Sequence, residues 1–179
     1  MTAERGVQVS LSDEVLRSIL ENSLAVPDRE TGGILMGRFR DPQDGPLRIT
    51  AERSSGPGAG ACLGTGIFRP EMEHYRERMA HYRRTMGLEY VGEWHKHPGA
   101  LGELSSLDIK TAREICETEG WPFLLLPIVT LCEGYCRIHC FVWLAQGGKQ
   151  GCAGGEVFRA ETYERAVEEL LNEKGGSPA

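Results

Sequence analysis

The chain has 179 residues, 40% hydrophobic and 26% charged, with a formal net charge of −6 from 26 acidic and 20 basic side chains. A chain of this length buries roughly two thirds of its unfolded surface in one domain, so its core needs neither disulfides nor a structural metal, and its acidity disfavours a phosphate-backbone partner. It has no apolar run of about 18 residues to span a bilayer, and Met1 to Ser10 lacks the apolar stretch of a signal peptide, which points to a cytoplasmic protein whose six cysteines are reduced.

Leu11-Ser12-Asp13-Glu14, followed by Val15, Leu16, Ile19 and Leu20, predicts a capped amphipathic helix that Pro27-Asp28-Arg29 breaks. Thr31 to Phe39 is apolar and punctuated by glycine, the pattern of a buried strand. Asp41 to Pro46 is turn chemistry, and Leu47 to Arg53 completes a hairpin. Ser54 to Gly66 is too rich in glycine to pack a core, so it is either a loose connection or a substrate-facing flap.

Pro70 suits the first position of a helix, on which Met72, Tyr75, Met79, Tyr82 and Met86 form one stripe that lies on a sheet. His74 and His81 flank the stripe and read as solvated. Leu88 to His95 is a strand, and Ser105 or Ser106 caps a helix running to about Thr118. Pro122–Leu131 and Tyr135–Leu144 form a last hairpin. A Gly-rich linker (146–155), a closing helix (Glu161 to Glu173) and a loose tail (175–179) follow. No internal repeat appears, so residues 1–145 read as one domain, with 146–179 packed on it.

Cys132, Cys136 and Cys140 recur at intervals of four around His139, without the short C-x-x-C spacing of a zinc site. On a strand, Cys136 and Cys140 share one face and His139 takes the other. Buried, inert thiols are the simpler reading.

The informative stretch is Gly92-Glu93-Trp94-His95-Lys96-His97-Pro98, continuing to Ser105-Ser106-Leu107-Asp108. Histidines at i and i+2 on a strand end project to one face. Asp108, just inside a helix, can return to meet them, and two imidazoles with one carboxylate leave the fourth tetrahedral position of a zinc ion open. Each half has a plainer reading alone: His-x-His as surface residues, and Ser105-x-x-Asp108 as a capping box. The cap and the ligand roles are compatible, because a cap fixes Asp108 in place.

His95-x-His97-Pro98, six residues, then Ser105-x-x-Asp108 resembles the signature of the JAMM (MPN-plus, JAB) zinc metallopeptidases, and Glu30-Thr31-Gly32-Gly33-Ile34-Leu35-Met36-Gly37 resembles that family's upstream element. The similarity spans roughly Leu11 to Leu144 and looks most like bacterial members. It implies an α/β fold: a single MPN/JAB-like domain, cytidine-deaminase-like in its three layers, with a mixed curved sheet flanked by helices. It also implies one Zn2+ per chain with a catalytic water, held by His95, His97 and Asp108. Glu30 would serve as general base and then acid, and Ser105 as oxyanion donor. Lys96 stands where many relatives have a small polar residue; it and Trp94 should face away from the histidines.

The activity implied is cleavage after the C-terminal glycine of a ubiquitin-like protein, by deconjugation or precursor processing, with E1-like and E2-like proteins as neighbours. The same chemistry would release an amino acid or metabolite from a sulfur-carrier protein. A non-catalytic MPN scaffold would lack the ligands that are present here. A DNA-linked role fits poorly with the acidic charge.

Overall fold

In the computed structural model, which describes residues 6–41, 45–146 and 154–172, the chain runs β1 (Val7–Leu11), α1 (Asp13–Leu24), β2 (Thr31–Arg40), β3 (Leu47–Ser54), β4 (Cys62–Leu63), β5 (Phe68–Arg69), α2 (Met72–Met86), β6 (Glu89–Lys96), α3 (Ser106–Glu119), β7 (Phe123–Cys132), β8 (Tyr135–Gln146), β9 (Gly154–Ala166) and α4 (Val167–Asn172). Seven strands form one sheet in the order β1-β3-β2-β6-β7-β8-β9. The β1–β3 and β6–β7 pairs are parallel and the other four antiparallel. The sheet is therefore mixed, and α3 is the crossover that lets β7 run alongside β6.

Strand alternation sorts the core into layers. Leu35, Trp94, Leu125, Val129, Ile138, Cys140 and Val142 face α1, where Val15, Leu16, Ile19 and Leu20 are buried. The alternate residues Leu124, Leu126, Ile128, Phe141 and Trp143 meet Ala112 and Cys116 of α3. Ile34, Met36 and Leu88 meet Tyr75 and Tyr82 of α2. Helices thus cover both faces of a mixed sheet, the three-layer α/β arrangement expected. The sheet also curls: the Tyr163 hydroxyl on β9 accepts from Leu11 N (3.1 Å) and donates to Val9 O (3.3 Å) on β1, so its two edge strands meet.

Four segments differ from expectation. Val7–Leu11 is a strand, too short to announce itself by alternation, and pairs with β3 over five positions. Of the expected closing helix, Val167–Asn172 is helical and Glu173 lies outside the described residues, whereas Glu161–Ala166 is not helix but the second half of β9. Its Glu, Arg and Ala residues favour a helix weakly, whereas the open edge of β8 offers a ladder from Tyr135↔Ala166 to Gln146↔Gly154. The glycine-rich segment after β3 is held rather than loose: β4 pairs with β5, Glu71 accepts from Gly60 N (2.8 Å), and Glu71 N donates to Pro57 O (2.9 Å). Its side chain engaged there, Glu71 is the N-cap of α2 without a side-chain cap, and the helix starts two residues after Pro70. His74, expected in solvent, meets Ser55 Oγ at 2.9 Å, while His81 is exposed.

Pro42–Asp44 of the expected turn, most of the Gly-rich linker and the 175–179 tail lie outside the described residues. No helix among the described residues is long and apolar enough to cross a membrane.

Candidate metal centre

The centre is assembled where β6 ends. His95 lies opposite Gly32 of β2 and Ile128 of β7, on the sheet face that carries α2 and α3. His97 lies one residue past the strand, but its N–H donates to Val129 O (3.1 Å), so the extended backbone continues and both histidines share that face. His97 Nδ1 meets Leu101 O at 3.2 Å. The carbonyl can only accept, so Nδ1 carries a proton, and Nε2, which faces Asp108, is the nitrogen that would ligate a metal.

Asp108 arrives from the other side through the first turn of α3. Ser105 is the N-cap: its Oγ accepts from Asp108 N (3.2 Å), and Asp108 Oδ2 accepts from Ser105 N (2.6 Å), closing a capping box. The carboxylate so fixed stands 3.2 Å from His95 Nε2 and 3.5 Å from His97 Nε2, and the two Nε2 atoms are 2.8 Å apart. A tetrahedral ion with bonds of about 2.0–2.1 Å has ligand–ligand edges of about 3.3 Å. His95 Nε2 faces Asp108 Oδ1 and His97 Nε2 faces Oδ2, so two imidazole nitrogens and a carboxylate converge closely enough, and in the right donor types, to hold a tetrahedral divalent ion. This trio is the group of metal-capable side chains that converges among the described residues. Among the described residues the cysteines join no such group, and burial pushes the Cys136 and Cys140 thiols up to about 12.

Charge in the cluster is strongly coupled. Burial alone would raise the Asp108 carboxyl, but hydrogen bonds from His95 and His97, the His95 charge and the Ser105 hydroxyl outweigh it and hold the group well below the usual carboxylate range. The hydrogen bond to Asp108 raises His97, against an opposing effect of burial. An ionised carboxylate facing two imidazole nitrogens is a donor set suited to a cation.

Glu30 stands beside this cluster rather than in it. It immediately precedes β2, with Thr31 opposite Lys96; its N–H donates to Gly64 O (2.8 Å), and its charge reaches His97 and Lys96. The segment before α2 therefore lines the site. Gly32 shows how closely: a Cβ there would lie 2.5 Å from Trp94 O, 2.7 Å from the Phe68 ring and 3.1 Å from His95 Cβ.

Lys96 and Trp94 face the other way. Trp94 is fully buried and donates from Nε1 to Ser54 Oγ (2.9 Å). Lys96 is 1% exposed, and its Nζ donates to Pro27 O (2.8 Å). Burial lowers the Lys96 ammonium, against the opposing charges of Asp28 and Glu30.

Three contributors escaped the sequence reading. Glu93 shares the His95 face by the same two-residue step; burial raises its carboxyl, opposed by a hydrogen bond from Tyr90 and by His95. That period was available in the sequence. Phe68 and the brace on the 98–105 loop were not. In the brace His139 packs where a Gly102 Cβ would sit, 2.3 Å from the ring, and Arg159 bonds Glu103 (3.0 Å) and His139 (3.1 Å).

A family model described as prokaryotic homologs of the JAB domain matches residues 12–146. The chain is 29% identical to a CD-NTase/cGAS isopeptidase of Enterobacter hormaechei over 126 residues, 70% of this chain and 67% of that protein. It is 26% identical to a probable metalloprotease of Sinorhizobium fredii over 139 residues, 76% of this chain and 82% of that one. In fold it resembles the solution structure of a protein from Desulfitobacterium hafniense, with a TM-score of 0.54 at 20% identity, covering 91% of this chain and 98% of the other. The family and the relatives' names point to a hydrolase of the metalloprotease or isopeptidase kind.

Proposed function

The chain belongs to the prokaryotic JAB family, and from that premise we propose that it is a zinc-dependent isopeptidase or peptidase that cuts after the C-terminal glycine of a ubiquitin-like protein. The observation that carries the reading is the His95–His97–Asp108 triangle with Glu30 beside it and Ser105 at the adjoining helix start. A relative named as an isopeptidase supports a conjugate as substrate.

His95, His97 and Asp108 would hold the ion. Zinc bound there supplies Lewis acidity, polarising a carbonyl and lowering the pKa of water to about 7. Glu30 accepts a proton as water attacks the carbonyl carbon of the terminal glycine. Ser105 uses an oxygen lone pair to cap α3, and its O–H, which helps hold the Asp108 carboxyl down, would turn to the oxyanion that develops. Collapse breaks the C–N bond as Glu30 returns its proton to the departing nitrogen, and the remaining hydroxyl proton passes to the released amine, leaving a glycine carboxylate and an ammonium. The Ser54 to Gly66 segment, tied to Glu30 through Gly64 O, would cover an extended Gly-Gly tail. The complete ligand set argues against a scaffold role.

The test uses the purified chain and a ubiquitin-like protein fused through its C-terminal glycine to a reporter. Wild type should carry about one zinc and release the reporter. Glu30→Gln should keep its zinc and lose about two to four orders of magnitude in rate, the usual scale of general acid–base work. Near-normal turnover in that variant, or zinc-loaded wild type inert on every Gly-Gly fusion offered, would defeat the proposal.

A further inference from the structure

We infer that Lys96 is a positioning residue for this reaction: from the face of β6 opposite the metal ligands it clamps the turn that presents Glu30, so that one strand end sets both the metal and the base. The inference rests on the reading of Glu30 as the base given above.

Lys96 is 1% exposed, and its ammonium ends against the Pro27 carbonyl at 2.8 Å. A lysine withdrawn from water this far is costly unless its charge is bonded and balanced. Here the balance comes from Asp28 and Glu30, the two acids of the turn it holds. The same residue grips both ends of that turn. Its side chain takes Pro27 O, and its backbone stands opposite Thr31 in the β2–β6 ladder.

Pro27, Asp28 and Arg29 between those grips are exposed, so no buried apolar side chain anchors them. Their order depends on polar tethers: Lys96 to Pro27 O, Arg29 N to Val26 O (3.2 Å), and Glu30 N to Gly64 O (2.8 Å). Segments with so few buried contacts open locally at little cost. His95 and His97 flank Lys96 and point to the other face, so any displacement of the turn is a displacement of Glu30 relative to the metal. A shift of about 1 Å in a reacting group can cost about a hundredfold in rate.

Two full-length, zinc-loaded variants test this: Lys96→Met, which keeps the length without donor or charge, and Lys96→Gln, which keeps a neutral but shorter donor. Each is measured for zinc content, for amide hydrogen exchange in the peptide covering 26–31, and for kcat and KM on the Gly-Gly fusion, alone and combined with Glu30→Gln. Both should retain one zinc per chain and unchanged exchange in β6 and β7. Exchange over 26–31 should quicken at least about tenfold and kcat fall about 10–100-fold, with KM within about threefold. In the Glu30→Gln background the substitution should cost nothing more, because both changes act on one group.

Unchanged exchange over 26–31, additive losses with Glu30→Gln, or loss of zinc would each overturn the clamp. Failure of both variants to fold would also do so, making Lys96 a folding residue. A Glu30→Gln protein with normal turnover would instead defeat the proposed function, while the exchange measurement still reads the tether by itself.

Discussion

Asp108 has two separable jobs, and Asp108→Asn distinguishes them. The asparagine keeps a side-chain oxygen where Asp108 Oδ2 accepts from Ser105 N at 2.6 Å, so the capping box survives in outline. What is lost is the charge. At a helix start that is worth about 0.3–1 kcal/mol, and charge assistance in the contacts at 3.2 and 3.5 Å to His95 and His97 adds about 1 kcal/mol. The metal-free variant should therefore be weaker by about 1–2 kcal/mol, a melting point lower by about 3–8 °C at this chain length. Zinc acts on a larger scale: free zinc at a thousand times its dissociation constant stabilises the native state by about 4 kcal/mol, equivalent to about 8–16 °C. Thermal melts in buffered zinc, with and without chelator, should show that rise in wild type and almost none in Asp108→Asn. If the variant kept the full rise and one zinc per chain, Asp108 would be only a helix cap and the ligand set would be wrong.

His97→Ala should lose both zinc and turnover while its metal-free form still folds; elemental analysis of the purified variant decides, and full occupancy would overturn the assignment. With their folded values pushed up to about 12, against an unfolded value of about 8.5, Cys136 and Cys140 should resist a thiol reagent at pH 8 that labels exposed Cys62, as read by mass mapping of those three peptides. The sign follows from linkage: the protonated thiols' contribution to stability is complete below about pH 8.5 and is lost as pH rises toward 12. Tyr163→Phe removes the hydroxyl that joins Leu11 N and Val9 O and should lower the melting point by about 2–4 °C, for about 1 kcal/mol; no change would mean that packing alone closes the sheet.

Much of the site was legible because its geometry is local. Two residues along a strand return to the same face, which placed His95 with His97 and set Trp94 and Lys96 against them. Three residues into a helix return a side chain to its cap, which placed Asp108 against Ser105. Stripes at steps of three and four gave α1 and α2 their buried faces, although Met72, counted in the α2 stripe, is exposed. The same logic failed where the deciding partner was distant. Glu161–Ala166 looked helical because nothing within the segment reveals that β8 has an edge to fill. The glycines of 54–66 suggested looseness because a ribbon partner, a glutamate at 71 and a carbonyl at 64 awaiting Glu30 N have no local signature.

By itself, then, the sequence determined most of the helices and strands, the shared face of His95 and His97 and the cap of Asp108 on Ser105, since periodicity and capping are properties of neighbouring residues, while the three-layer α/β plan and the joint ligand set came through the family resemblance. Tertiary structure alone decided that Lys96 reaches Pro27 O, that Phe68 lies over Gly32, and that β9 curls round to meet β1. Those contacts join residues between 36 and more than 150 positions apart, and their stability comes from hydrogen bonds and burial that exist only once the chain has closed the loops between them.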